Sequence, residues 1–231
     1  MTIDDYDWTA IALSLDEKGW AVLPALLDPA DCDGIAAMYA PSPAFRSHVV
    51  MARHGFGVGE YRYFAYPLPP QVADLRAALY RRLVGRANRW HERMDFAERF
   101  PADHAAFLER CHADGQVRPT PLLLRYGPGD YNCLHQDLYG DHVFPLQAAV
   151  LLSAPGVDFE GGEFVLTEQR PRMQSRVSVV PLAKGDAVIF AVNARPRAGS
   201  RGDYRVTMRH GVSEIRAGQR HMLGLIFHDA R

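Results

Sequence analysis

From about residue 117 onward the chain breaks into short apolar stretches separated by turn signals. This cadence restricts the fold more than any other feature. Leu122–Tyr126, Pro145–Ser153, Glu163–Thr167, Val177–Pro181, Ala187–Val192, Tyr204–Gly211 and Arg220–His228 each read as a strand. Gly161-Gly162 and Lys184-Gly185-Asp186 punctuate them as turns. Several short strands at this spacing predict a sandwich or jelly roll.

The preceding half has a different texture. Gly19–Pro24 is a compact apolar stretch that predicts a strand within residues 14–40. A helix follows it: Asp28 suits the N-cap, Pro29 the first helical position, and Asp31 adds negative charge to the first turn. That helix should continue through Ile35, Ala36 and Met38 until Pro41. Residues 42–70 read as irregular, with a weakly alternating run at Tyr61–Tyr66 whose aromatics belong either to a pocket wall or to the core. Val72, Leu75, Leu79, Leu83, Trp90 and Met94 recur at helical spacing and predict a helix over 71–95. Arg82, Arg86, Arg89 and Arg93 form a second stripe beside them, read as a solvated face with Glu92 and Asp95 nearby. Residues 101–112 predict a further helix with Phe107, Leu108 and Cys111 inward. The expectation is a mainly β chain with some α: a single domain over 1–231. Residues 1–116 form a supporting helical region and 117–231 a double-stranded β-helix (jelly-roll) core.

Composition narrows the class. A chain of 231 residues with 48% apolar content can bury a full core and is not disordered. The longest apolar runs, such as Ala148–Leu152, are too short to cross a bilayer. The acidic start, Met1–Asp7, carries no secretory signal. Cys32, Cys111 and Cys133 are few and widely spaced, which fits neither a disulfide framework nor a zinc knuckle, and predicts a reducing, cytoplasmic compartment. Net charge is −1, yet only Lys18 and Lys184 among the 26 basic residues are lysine. A GC-rich genome explains such a skew; recognition of phosphate or carboxylate, which the planar arginine fork suits, is the functional explanation.

The chemistry is concentrated in Arg125-Tyr126-Gly127-Pro128-Gly129-Asp130-Tyr131-Asn132-Cys133-Leu134-His135-Gln136-Asp137. In extended backbone, residues two apart face the same way, so His135 and Asp137 can offer an imidazole nitrogen and a carboxylate oxygen to one ion. A second histidine would complete the facial arrangement of non-haem Fe(II) oxygenases, which leaves positions open for dioxygen and a bidentate co-substrate. Among His142, His210, His221 and His228, His210 fits best: it lies in a predicted strand and Arg220 follows ten residues on. His228 is the alternative. A guanidinium at Arg220 can grip the far carboxylate of a keto diacid through two charge-assisted hydrogen bonds. A turn at Ala217-Gly218 should bring the Arg220 strand beside that of His210.

These pieces, in order, resemble the Fe(II)/2-oxoglutarate-dependent dioxygenases, in the prolyl-hydroxylase-like branch. The resemblance runs through Leu124–Gly129, His135-Gln136-Asp137, Gly161–Phe164, Lys184–Phe190 and His210-Gly211-Val212 to Arg220. It covers residues 117–229, with Gly19–Ala36 similar to the N-terminal segment of such enzymes. It implies that His135, Asp137 and His210 bind iron, that Arg220 binds the 2-oxoglutarate C5 carboxylate and that Tyr126 donates a hydrogen bond to the co-substrate. The implied reaction couples decarboxylation of 2-oxoglutarate to succinate with hydroxylation of a C–H bond, using dioxygen, with ascorbate as reductant. Many relatives place Ser or Thr two residues after the arginine; Met222 stands there instead.

For the substrate pocket the flanks of the ligands are the candidates: Tyr131, Asn132, the Leu138–Asp141 stretch, Glu163, and Asn193 with its basic loop to Arg201. With a second basic loop over 170–176, these predict a cationic rim or merely scattered loop charge. The run from Tyr126 to Asp137 also resembles a bacterial oxygenase group labelled by inference as acting on damaged, alkylated nucleic acid. The second arginine typical of alkylation-repair dioxygenases is missing, so prolyl or other amino-acid side chains and small metabolites stand as alternative substrates. A non-redox cupin-like metal protein is the alternative of another class. The oligomeric state is unassigned.

Overall fold

The computed structural model describes residues 2–40, 42–200 and 202–231. The expected end of a helix at Pro41, the last basic residue of the 193–201 loop, Arg201, and the first residue of the acidic start, Met1, fall outside those residues. Helix α1 (Trp8–Lys18) starts on Asp7, whose carboxylate accepts from the Thr9 and Ala10 amides, and stops at Gly19 in the left-handed region. Residues 14–18 are therefore helical; the signal overlooked in the sequence is Asp7 as N-cap ahead of Ile11 and Leu15, which are buried. β1 (Trp20–Leu23) and α2 (Pro29–Ala37) follow, the latter capped by Asp28 as its sequence predicts.

Residues 42–70 are less irregular than expected. They hold β2 (Phe45–Val50), β3 (Gly57–Val58) and β4 (Glu60–Phe64). Pairing with distant strands decides these segments, not their own composition: β4 lies against β5 (Leu122–Tyr126), and β3 against β6 (Tyr131–His135). Between them run α3 (Pro70–Arg93) and α4 (His104–Ala113). The remaining strands are β7 (Leu146–Leu151), β8 (Phe159–Gly161), β9 (Phe164–Gln169), β10 (Arg176–Val180), β11 (Ala187–Ala191), β12 (Ala194–Gly199), β13 (Gly202–Val212), β14 (Ile215–Gly218) and β15 (Arg220–Leu225).

Two antiparallel sheets face one another as a jelly roll. One runs β1-β11-β7-β15-β5-β4-β2; the other runs β10-β9-β13-β6-β3, with β12 also on β13; β14 and β8 form a small separate ribbon. The first 116 residues thus supply four strands and extend the first sheet at both its ends, a larger share than a helical support. Period two sorts each central strand. Leu123, Leu223, Leu225, Ala148, Val150 and Ile189 turn outward onto Leu79, Tyr80, Leu83, Trp90 and Phe107 of the helices. Leu122, Leu124, Tyr126, Met222, Ala149, Leu151 and Phe190 turn inward, into the space between the sheets. β7 is buried along its whole length because it is covered on both faces.

The arginine stripe of α3 is not a simple solvated face. Arg82, Arg86 and Arg93 pair with Asp4, Asp16 and Asp203, which tie the helix to the N-terminal segment and to β13. The basic stretch after Asn193 is the strand β12 rather than a loop. Its Arg195 is buried, and Arg195, Arg197 and Arg170 converge on Glu168 of β9. No helix among the described residues is long and apolar enough to cross a membrane.

Candidate metal centre and its cavity

β6 and β13 pair with His135 directly opposite His210, and the register shifts beyond that pair. The two imidazole rings lie 4.1 Å apart, centroid to centroid. Asp137 follows two residues after His135, and its carboxylate lies between the two Nε2 atoms: 3.7 Å from His135 and 3.4 Å from His210. One donor atom from each of His135, Asp137 and His210 falls within 4.8 Å of the others, the only such group among the described residues.

The protonation pattern suits a cation. His135 Nδ1 is 2.8 Å from the Cys133 carbonyl, which can only accept, so Nδ1 carries the proton and Nε2 is left with its lone pair. Burial, and then the neighbouring His210, lowers the pKa of His135 and favours its neutral form. Burial pushes the Asp137 carboxyl up, but His210, His135 and the Tyr139 hydroxyl outweigh it and hold the group well below the usual carboxylate range. Tyr139 donates to Asp137 Oδ1 at 2.7 Å and accepts from Tyr63 at 3.0 Å. Phe164 and Phe190 flank the His210 ring, whose Nδ1 is buried and meets no partner among the described residues. Two nitrogens and an ionised carboxylate converging at one side of an open space fit a divalent metal such as iron.

That space is a cavity of about 360 Å³ walled by Phe56, Tyr61, Tyr63, Leu122, Leu124, Tyr126, Asn132, Gln147, Phe164 and Met222 around the three donors. Arg220 is 1% exposed and sits behind this wall, under Tyr126 and Met222, rather than in the lining itself. It stands opposite Tyr126 in the β15–β5 ladder, so the two side chains share a face, and its guanidinium lies 5.6 Å from the Tyr126 ring. The expectation that β15 lies beside β13 is corrected: β15 lies between β5 and β7, in the opposite sheet. Arg220 lines a second cavity with Phe159, Gly162 and Glu163, separated from the metal cavity by Tyr126 and Met222. Its Nε and Nη1 meet no acceptor among the described residues, and Nη2 points at the Met222 sulfur, 3.3 Å away. Burial pushes this guanidinium down to about 10, so it stays charged at neutral pH. Gly162 makes room for it: a Cβ there would stand 2.9 Å from Arg220 Cδ and 2.2 Å from Ile215 Cδ1, at a φ of +61°.

The other expected positions separate. Asn132 lines the cavity and donates to the Tyr126 hydroxyl at 3.3 Å. Tyr131 is exposed on the outer side of β6, near the cavity but not in its lining. Glu163 faces that second cavity on the far side of Arg220, held by Ser213 and close to Arg216. Asn193 lies outside the lining and accepts from Gln136. His228 is buried beside Tyr139, His221 packs on Tyr39, and His142 sits between Glu98 and Asp114. Tyr139, expected at the pocket mouth, does line the cavity, but its bond to Asp137 was not foreseen, and sequence reasoning gave Gln136 and Gln147 no role. The bond could have been suspected, because Tyr139 lies two residues beyond Asp137. Gln147 is buried on β7 with an Oε1 that meets no partner, inside an otherwise apolar wall, and nothing local in the sequence marks it.

Comparison with known proteins agrees with this geometry. Residues 59–230 match a family described as an oxygenase catalysing oxidative methylation of damaged DNA. An uncharacterised protein of Mycobacterium tuberculosis is 46% identical over 167 residues, 72% of each chain. Among solved structures, a prolyl-4-hydroxylase of Pseudomonas putida superposes with a TM-score of 0.55 at 16% identity, over 97% of this chain and 99% of that one. A 2-oxoglutarate-Fe(II) oxygenase family member from Burkholderia pseudomallei gives 0.55 at 18% identity, over 98% and 94%. At these identities the structures establish a shared fold; the family match over residues 59–230 places the chain itself among the oxygenases described as acting on damaged DNA.

Proposed function

We propose that the chain is an Fe(II)- and 2-oxoglutarate-dependent dioxygenase that oxidises an alkyl group on damaged nucleic acid. One observation carries the co-substrate assignment: a charged, fully buried arginine without an oxygen acceptor among the described residues, behind the wall of the cavity that holds the His-Asp-His group. An unpaired buried guanidinium is costly, and a carboxylate delivered to it offsets that cost.

His135, Asp137 and His210 would hold the iron. When bound, that ion supplies the activation of dioxygen coupled to decarboxylation of 2-oxoglutarate. The side chains do the rest. Arg220 binds the distal carboxylate of the co-substrate, which fixes the direction of its keto acid end. Tyr126, kept protonated by burial, donates a hydrogen bond to the same carboxylate and takes the place of the Ser or Thr that Met222 replaces. The apolar walls exclude water. The Nε2 atom of His135 and the ionised Asp137 need lose no proton before they bind metal. Oxidation of a methyl group on nitrogen gives a hemiaminal that loses formaldehyde, so on such a substrate the reaction removes the methyl group.

A second reading, hydroxylation of a prolyl or other amino-acid side chain or of a small metabolite, draws support from the arginines. A phosphate backbone needs free cations, yet Arg82, Arg86, Arg93, Arg125, Arg170, Arg195 and Arg197 are all engaged with carboxylates. The test separates the readings. Fe(II) and 2-oxoglutarate added anaerobically should produce a weak visible charge-transfer band. In air, methylated oligonucleotides should raise succinate release above prolyl peptides and free amino acids. Stimulation by the peptides instead transfers the assignment to the second reading. No band, and no succinate with any of them, removes the dioxygenase.

A further inference from the structure

β13 carries β9 along one edge and two separate strands along the other: β12 against residues 202–207, then β6 against His210 and Val212. Between those two strands the ladder is interrupted, and Met208 lies at the gap. Its amide donates to the Asn193 carbonyl at 2.5 Å. Its carbonyl accepts from Gln136 Nε2 at 2.8 Å, and the second hydrogen of that nitrogen reaches Asn193 Oδ1 at 2.8 Å. A backbone carbonyl only accepts, so the Gln136 nitrogen must face Met208, and the Asn193 oxygen must then face Gln136. One side-chain amide therefore stands in for the missing ladder bond.

The position of this amide matters. Gln136 lies between two of the metal donors, and Met208 is two residues ahead of the third. β6 ends at His135, so Asp137 stands just beyond the ladder that aligns His135 with His210. On the metal-binding reading above, the structure assigns Gln136 and Asn193 as a positioning pair. They hold the Asp137 end of one segment against the His210 strand and so set the affinity of the centre. Neither touches the metal. Partners that orient ligands in this way characteristically contribute 10- to 100-fold (about) in metal affinity.

The pair is tested with Co(II), titrated anaerobically into the apo chain and its variants by calorimetry and by its visible absorption. Gln136→Met keeps the side chain's size and removes both donors. It should weaken Co(II) binding about tenfold or more and change the Co(II) absorption, while apo melting falls only a few degrees. Asn193→Leu should weaken binding less. Asn193→Asp keeps the acceptor and should bind Co(II) like the wild type. The Gln136→Met/Asn193→Leu double variant should be no weaker than Gln136→Met alone, because the two act as one unit. Wild-type affinity in Gln136→Met, or an Asn193→Asp variant as weak as Asn193→Leu, overturns the pair. The Asn193 variants decide the matter even where Gln136→Met does not fold. A wild type that binds no Co(II) removes the metal centre itself, a distinct failure.

Discussion

Arg76 and Arg220 are equally buried, at 1% exposure, and differ in almost everything else. Arg76 sits in the seam between α3 and the end of the barrel. It bonds the carbonyls of Ile226 and His228, the hydroxyls of Thr120 and Tyr66, and the Asp229 carboxylate at 2.8 Å. Arg220, between the sheets, has a thioether and two aromatic faces. A fold that supplies five oxygens to one buried arginine shows what such a group requires. Its failure to do so at Arg220 is the observation that supports the carboxylate proposed there. The comparison teaches that burial alone does not single out a candidate ligand site; burial without an oxygen partner does.

The contrast is broken or upheld first at the seam. Arg76→Met removes the buried cationic partner of the fully buried Asp229 carboxylate and leaves it the Tyr66 hydroxyl and the His112 imidazole. Removing one member of a buried pair costs about 3–5 kcal/mol, and urea unfolding of the apo chain should show that loss. Arg220→Met should act in the opposite sense. It exchanges an uncompensated charge for an apolar side chain, so the apo chain should melt at the same temperature or higher. Binding of 2-oxoglutarate, read from the charge-transfer band, should fall by about 2–5 kcal/mol, roughly 30- to several thousand-fold. A destabilised Arg220→Met protein that still bound co-substrate would make Arg220 a structural residue like Arg76.

Acid sharpens the same comparison at smaller scale. Burial, reinforced by the charge of Arg76, pushes both His104 and His228 down to about 4. In the unfolded chain they titrate near the ordinary value of about 6.5. Between those values the unfolded state binds protons that the folded state refuses, so stability falls as pH drops through that window and levels off below it. His142 opposes this. Burial alone would lower its pKa, but Asp114 and Glu98 raise it, so its contribution is present at low pH and lost as pH rises through its folded value. Burial also lowers the pKa of His91, His135 and His221, so His142 stands alone on the other side, and apo stability should decline on acidification from 6.5 toward 5, at on the order of 1 kcal/mol per pH unit. His104→Gln should flatten that slope. An unchanged slope would mean that the two buried histidines protonate without unfolding.

What could be read from the sequence follows local periodicity. The strands rich in Leu, Val and Ile, the α2 cap at Asp28 and the face shared by His135 and Asp137 all express spacing of two or of three and four. What could not be read depends on which strands meet. Ala194–Gly199 contains Pro196 and two arginines and looks like a loop; it is a strand because β13 folds back along it and Glu168 receives its arginines. The placement of Arg220 failed for the same reason. The β14–β8 ribbon carries the chain from one sheet to the other, and no local pattern announces a change of sheet. Asn193 was placed in a substrate pocket by its neighbours in sequence, whereas its bond to Gln136 arises only where β6 and β12 abut.

The smallest effect is expected where the arginine composition first drew notice. Arg82 pairs with Asp4 on the surface, and both side chains are well exposed. Such a pair exchanges solvation for a screened attraction and fixes two flexible side chains, so it contributes about 0–1 kcal/mol. Arg82→Ala should therefore shift unfolding by no more than that. It should shift it less still in high salt, where screening removes what attraction remains. Against Arg76 and Arg220 this completes a series of arginine with buried partner, buried without partner, and exposed with partner. Succinate release stimulated by a methylated oligonucleotide should also be unchanged. A clear loss there, at unchanged stability, would show that the α3 stripe meets a phosphate backbone when substrate arrives, and that the arginine skew is more than genome composition.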